Sequence, residues 1–253
     1  MKILGKLFIG FLFCTAGLLA QAQEAPPVLP VELYGCSLAG TSDMGDVEGS
    51  FDELNEWADE RGIDDLTIYQ LTPSFVSADN EFDVISFNIW PDGAAFGSGN
   101  AAFADDPDAA GFFTGVLDCP AHALYALVGV KPPQQDTQSG GQWEFTNCTM
   151  KGNRSTDEGV AAATAVAELF NRYNINDAQA VLFNIAGEAL DTSYDFKWIT
   201  YYPSIEAWGS LFDGVVGDGA VQEIGAIVDP VMECDSSRIY NGTVIRTAAA
   251  EAE

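Results

Sequence analysis

Trp90-Pro91, followed by Ala95-Phe96-Gly97-Ser98, is the stretch on which the fold turns, because it returns as Tyr202-Pro203 followed by Ala207-Trp208-Gly209-Ser210. Each position is displaced by 112 residues. An aromatic–Pro pair closes a strand, since proline brings no N–H to a ladder and fixes its own φ. The Ala-aromatic-Gly-Ser run then falls where a helix would pack back on that strand. One strand-to-helix corner has been written twice.

Working outward, the same displacement persists. Cys36-Ser37-Leu38-Ala39-Gly40 answers Cys148-Thr149-Met150-Lys151-Gly152, and Ile63 and Asp65 answer Ile175 and Asp177. Beyond the second helix Val116-Leu117-Asp118-Cys119 answers Val231-Met232-Glu233-Cys234, at a displacement of 115. One three-residue insertion reconciles the two values. A register kept over about 90 residues predicts a tandem duplication. Pro, Gln, Ser and Gly dominate 132–141, a linker composition. It separates a repeat at 25–131 from one at 142–247, and an Ala/Glu tail at 248–253 is expected to fray.

Within each repeat the pattern reads strand, helix, strand, strand, helix, strand. The first strand is expected at 31–38 and 143–150. The first helix is expected to start near Ser50, which forms a capping-box signature with Glu53. Phe51, Leu54, Trp57 and Ala58 give it an apolar stripe. Gly62, matched by Asn174, stops it, these being the residues that best accept the left-handed conformation past a helix end. Further strands are expected at 66–72, 82–90 and 123–130, with counterparts at 178–184, 194–202 and 238–245. A second helix covers 93–104. The third strand is apolar on both faces. Ile85, Phe87 and Ile89 form one, and Ser86, Asn88 and Trp90 share the other with Phe82 and Val84. Such a strand is buried on both sides. The fold class expected is α+β: two tandem ferredoxin-like (βαββαβ) repeats whose open sheet faces meet in one pseudo-two-fold unit.

On this element order and duplication the chain resembles the dimeric α+β barrel superfamily, with both halves in one chain. That superfamily includes antibiotic-biosynthesis-type monooxygenases, haem-degrading and NIPSNAP-like proteins, and chlorite-dismutase-like haem proteins. In the ferredoxin-like plan the first and last strands are neighbours, so Cys36–Cys119 and Cys148–Cys234 are the natural disulfides. Haem-degrading relatives use an Asn, a Trp and a His, but the spacing of Asn88, Trp90 and His122 does not match, so no role is carried over.

The N-terminus reads as a signal peptide over 1–22. Lys2 and Lys6 precede an apolar run too short to span a bilayer, and Ala20-Gln21-Ala22 has the form of a cleavage site, giving a mature start near Gln23. Cleavage would leave four cysteines, Cys36, Cys119, Cys148 and Cys234, an even number suited to bridges in a periplasmic or secreted chain. The net charge of −28 becomes −30 in the mature chain, with 8 basic against 38 acidic residues. This argues against nucleic acid and anionic membranes as partners. The acidic loops around Asp105, Asp106 and Asp108, and around Asp213 and Asp218, lack an EF-hand pattern. They read as solvated loops rather than calcium sites.

Catalytic signatures are absent. There is no nucleophile elbow, P-loop, zincin motif or dinucleotide fingerprint, and a single histidine, His122, all but excludes a Ser or Cys triad. It reads as a surface residue at a strand start, a base or haem ligand being the sharper alternative. Ser86, Asn88 and Trp90, with Trp198, Thr200 and Tyr202, are expected to line a pocket between the two sheets. Aromatic walls with a few polar groups suit a small apolar or aromatic ligand; the alternative is a filled core. The expected protein is an exported monomer with an internal pseudo-dimer, binding a small ligand or partner without catalysis and without cofactor or metal. A cofactor-independent monooxygenase or haem-handling enzyme is the alternative that the resemblance implies.

Overall fold

A computed structural model describes residues 27–78, 80, 82–133, 140–189, 192–217 and 219–248. The signal-peptide expectation, most of the linker, Asp218 and nearly all of the tail lie outside the described residues. In chain order the elements are β1 (Val28–Leu38), α1 (Met44–Glu60), β2 (Thr67–Phe75), β3 (Val84–Ile89), α2 (Gly93–Asp105) and β4 (Leu117–Lys131). There follow β5 (Gly141–Met150), α3 (Thr156–Arg172), β6 (Ala178–Ala186), β7 (Phe196–Tyr202), α4 (Ile205–Leu211), α5 (Ala220–Val228), β8 (Met232–Cys234) and β9 (Arg238–Arg246). A π-helical turn, Phe212–Gly217, follows α4 directly.

All the strands pair antiparallel. The first half gives the order β4-β1-β3-β2 and the second β6-β7-β5-β9, with the short β8 paired to β5 alone. The halves join edge to edge. β4 pairs β6, and β2 pairs β9, which closes an eight-stranded barrel. The open faces do meet, as the barrel resemblance implies, and they meet because one continuous sheet curls round on itself, so that a barrel core stands where a space between two sheets was expected. An eight-stranded barrel is just wide enough for side chains to fill its interior, and Ile85, Phe87, Tyr125, Trp143, Leu182 and Tyr201 do so. Helices cover the outside.

Helix α1 starts two turns before the expected Ser50. Asp43 caps it, accepting from Gly45 N and Asp46 N, while Asp46 reaches back to the Asp43 N–H. Ser50 lies inside the helix and is buried. Ser155 and Glu158 form the corresponding box on α3. Each cap is worth about 0.5–2 kcal/mol. Gly62 and Asn174 both adopt positive φ, 64° and 56°. Gly140 and Gly141 open β5 where three backbones crowd; a Cβ on either would lie 2.3 Å from a carbonyl oxygen, of Gly242 and Tyr202 respectively.

The two disulfides are Cys36–Cys119 and Cys148–Cys234. Two seam contacts tie the halves together. Lys131, at the end of β4, donates from Nζ to Ile175 O at 3.2 Å and pairs with Asp177. Arg246, at the end of β9, bonds Ile63 O and pairs with Asp59. Among the described residues no helix is long and apolar enough to cross a membrane, and no group of three or more His, Cys, Asp or Glu could hold a metal ion.

Candidate functional site

The site grows from β1. Its side chains alternate, so Val31 faces the barrel interior while Glu32, Tyr34 and Cys36 face outward beneath α1 and α2. On β3, next to β1, Ser86 and Asn88 face the same way, and Trp90 follows at its end. Register fixes the neighbours: Glu32 stands opposite Asn88, and Tyr34 lies between Ser86 and His122.

Glu32 is only 3% exposed, yet both oxygens are engaged. Oε2 accepts from Trp90 Nε1 at 2.9 Å and from Asn100 Nδ2, on α2, at 3.3 Å. Oε1 accepts from the Tyr34 hydroxyl at 3.2 Å and lies 3.1 Å from His122 Nε2. Three donors, Tyr34, Trp90 and Asn100, and the His122 ring therefore converge on one carboxylate, from three separate elements and the end of a fourth. A buried charge persists only with such support. Burial first, then the charge and hydrogen bond of Glu32, drive the Tyr34 hydroxyl far above its ordinary pKa, so it remains a donor. The Tyr34 ring stacks on His122, with centroids 3.9 Å apart.

Over this network lies a cavity of about 330 Å³, within the range of small-ligand sites. Its walls are aromatic: Tyr34, Phe51, Trp57, Trp90, Phe103 and Phe113. Ser86, Asn88, Asn100 and Thr114 add polarity, and the Cys36–Cys119 bridge lines one side. Trp57 is held in place from behind. Its Nε1 donates to Asp106 Oδ2 at 3.0 Å, and Arg61 pairs with Asp106 and lies 4.7 Å over the indole. The bond from Trp57 is the largest influence holding the Asp106 carboxyl below its usual range. Gly99 completes the fit, since a Cβ there would sit 2.2 Å from the Trp90 ring.

The six residues expected to share one inter-sheet pocket do not share it. Ser86, Asn88 and Trp90 line the cavity on the helix-covered face, because the apolar face of β3 is consumed in filling the barrel. Trp198, Thr200 and Tyr202 lie on the matching face of the second half, 112 residues on. There the space is filled. Tyr202 packs among Leu169, Ile175 and Val215 with Trp198 and Leu211 against them. The Tyr202 hydroxyl donates to Glu144 at 3.2 Å, and Trp198 Nε1 to Gln179 at 3.2 Å. Trp198 stands where the first half has Ser86, and Leu211 where it has Gly99. Those two exchanges open one half and close the other.

Sequence reasoning missed Glu32, Asn100 and the helical aromatics. A signal was present: Glu32 and Glu144 are an acid in the same place in both first strands, 112 residues apart. The Ser86/Trp198 and Gly99/Leu211 contrasts also tell which half is hollow.

Haem is the group that this kind of fold brings to mind, and the lining does not suit it. An axial ligand is required, but among the described residues the lining holds no His or Met, its cysteines are bridged, and its tyrosine, Tyr34, is held as a donor on Glu32. His122 directs Nε2 to Glu32. Among the described residues no Lys or Arg lines the cavity to meet the propionates.

No protein-family model matches the chain, and no curated protein does. Solved structures do. A "putative monooxygenase from Lactobacillus acidophilus NCFM" is 11% identical, with TM-score 0.53, the match covering 88% of this chain and 98% of that one. A mutant chlorite dismutase from Candidatus Nitrospira defluvii in complex with cyanide is 7% identical, with TM-score 0.51, the match covering 86% and 91%. At such identities the likeness is one of fold: this chain has the fold of the dimeric α+β barrel proteins.

Proposed function

We propose that this chain binds a small aromatic molecule in the cavity between α1, α2 and the outer face of β1 and β3. The observation that carries the reading is a buried carboxylate, held by three donors and the His122 ring, set among six aromatic walls. Such a site has no structural necessity, since the second half closes the same space with Trp198 and Leu211. The test copies that closure. Wild type is expected to enhance the fluorescence of N-phenyl-1-naphthylamine, an uncharged probe, and Ser86→Trp to abolish the enhancement while melting like wild type. Equal enhancement by both proteins refutes the site.

A second reading is a cofactor-independent monooxygenase. There the bound aromatic substrate supplies the electrons, one oxygen atom enters the product and the other leaves as water. The Glu32–His122 contact favours it, because Glu32 lines the cavity and His122, behind it, positions that carboxylate to act as a base, and the monooxygenase-type neighbour shares the fold. Oxygen uptake with a dihydroxynaphthalene, lost in His122→Ala, would support it; no uptake leaves the binding reading alone.

The chain is further read as a tandem duplication of a ferredoxin-like unit, with repeats at 25–131 and 142–247. Beyond the sequence register, the paired caps, paired disulfides and paired seam contacts support this. Lys131 and Arg246 stand 115 residues apart and reach Ile175 O and Ile63 O, 112 apart. The reading includes export after removal of 1–22, with which two disulfides agree.

A further inference from the structure

We infer that the cavity selects by charge: it takes uncharged and, above all, cationic aromatic molecules such as arylalkylamines, and rejects aromatic carboxylates and haem. This rests on the cavity being the binding site proposed above. Among the described residues Glu32 is the only charged side chain in the lining. It cannot turn away from a ligand, because Tyr34, Trp90, Asn100 and His122 hold both its oxygens from different elements. The Arg61 guanidinium lies over the Trp57 ring and pairs with Asp106.

The rest of the wall has the same polarity. Both amide hydrogens of Asn100 are used, one on Glu32 Oε2 and one on Phe96 O at 3.1 Å. Its Oδ1 therefore presents an acceptor. Aromatic faces carry negative charge density and attract cations. A protonated amine entering here meets a carboxylate, an amide oxygen and ring faces. A carboxylate meets the same groups with the sign reversed and no cation to offset them, in surroundings that screen charge poorly. The chain's net charge of −28 adds a long-range preference of the same sign.

Three ligands with one ring system test this by isothermal titration calorimetry: tryptamine, 3-methylindole and indole-3-acetate. Tryptamine is expected to bind at least tenfold more tightly than indole-3-acetate, with 3-methylindole between them. Glu32→Gln should shrink the gap to threefold or less, since Tyr34 Oη and His122 Nε2 can both accept from the new amide. Ser86→Lys, which leaves Glu32 in place, should reverse the order, and it serves if Glu32→Gln does not fold. Added haemin should give no Soret shift. The inference is overturned if indole-3-acetate binds as tightly as tryptamine, or if no indole binds while N-phenyl-1-naphthylamine does; either result leaves the cavity as a site. If that probe does not bind either, the site and its selectivity fall together.

Discussion

Replacing Lys131 by Met tests how the barrel is closed. Lys131 is 6% exposed and Asp177 is fully buried, and they meet across the β4–β6 seam. Lys131 also donates to Ile175 O, while Gln179 donates to the second Asp177 oxygen at 2.6 Å. The Met variant keeps most of the side-chain volume but leaves a buried carboxylate with one neutral donor. Breaking a buried pair in this way costs about 3–5 kcal/mol. At about 2–4 °C per kcal/mol for a chain of this size, the midpoint should fall by roughly 6–20 °C. The loss should depend on pH. Burial raises the Asp177 carboxyl despite the pull of Lys131 and Gln179, and the variant removes the stronger pull. A carboxyl with a raised folded pKa favours the folded state below its unfolded value and loses that advantage as pH rises through the folded one. The penalty should therefore shrink in acid and be full at neutral pH. Lys131→Met with Asp177→Leu removes both charges and should recover most of the loss. Urea unfolding followed by circular dichroism, disulfides intact, measures all three proteins. A single-variant loss below about 1 kcal/mol at neutral pH would show that the pair does not bind the seam.

Other expectations concern the cavity and the bridges. Gly99→Ala should push the Trp90 ring off its site, because the new methyl would lie 2.2 Å from it; the cost is about 1–3 kcal/mol, with a change in tryptophan emission, and an unchanged spectrum would contradict it. Removing either disulfide, which close loops of 83 and 86 residues, should cost about 4.5 kcal/mol in the chain-entropy model. Only the loss of Cys36–Cys119 should also alter ligand affinity, as titration of each double Ser variant would reveal. Because Asp106 sits below the ordinary carboxylate range, its hold on Trp57 is present at neutral pH and released only as acid reaches that lowered value. Trp57 emission should stay constant down to about pH 4, the ordinary Asp range, and shift only in stronger acid, and Asp106→Asn should abolish the shift.

The element order was legible because strand and helix periods are local properties. So were the bridges, because Cys36 and Cys119 fall on strands that any βαββαβ chain makes neighbours. Helix α1 was misplaced at its start because Ser50 and Glu53 imitate a cap, while the actual cap uses Asp43 with Asp46, a pairing of two acids. Ser86, Asn88 and Trp90 do line a cavity, but it lies beneath the helices and not inside the barrel, for a global reason. Alternation shows that Phe87 and Asn88 face opposite ways, but not which face a closed barrel consumes. That depends on the β2–β9 and β4–β6 pairings, which join residues far apart in sequence and leave no local trace. Asn100 and Phe103 were invisible for the same reason: their role comes from where α2 lands.

The seams also set a timetable for synthesis. β4 pairs β6, its near neighbour in the chain, but the outer edge of β2 has no partner until β9 is made, about 170 residues later, roughly 10–30 s at ordinary elongation rates. Through that interval β2 is a bare edge of the kind that recruits stray strands, guarded chiefly by Pro73, which cannot donate to a newcomer. A chain that stops before residue 238 leaves the barrel open along that edge, and the nine residues of β9 are what close it.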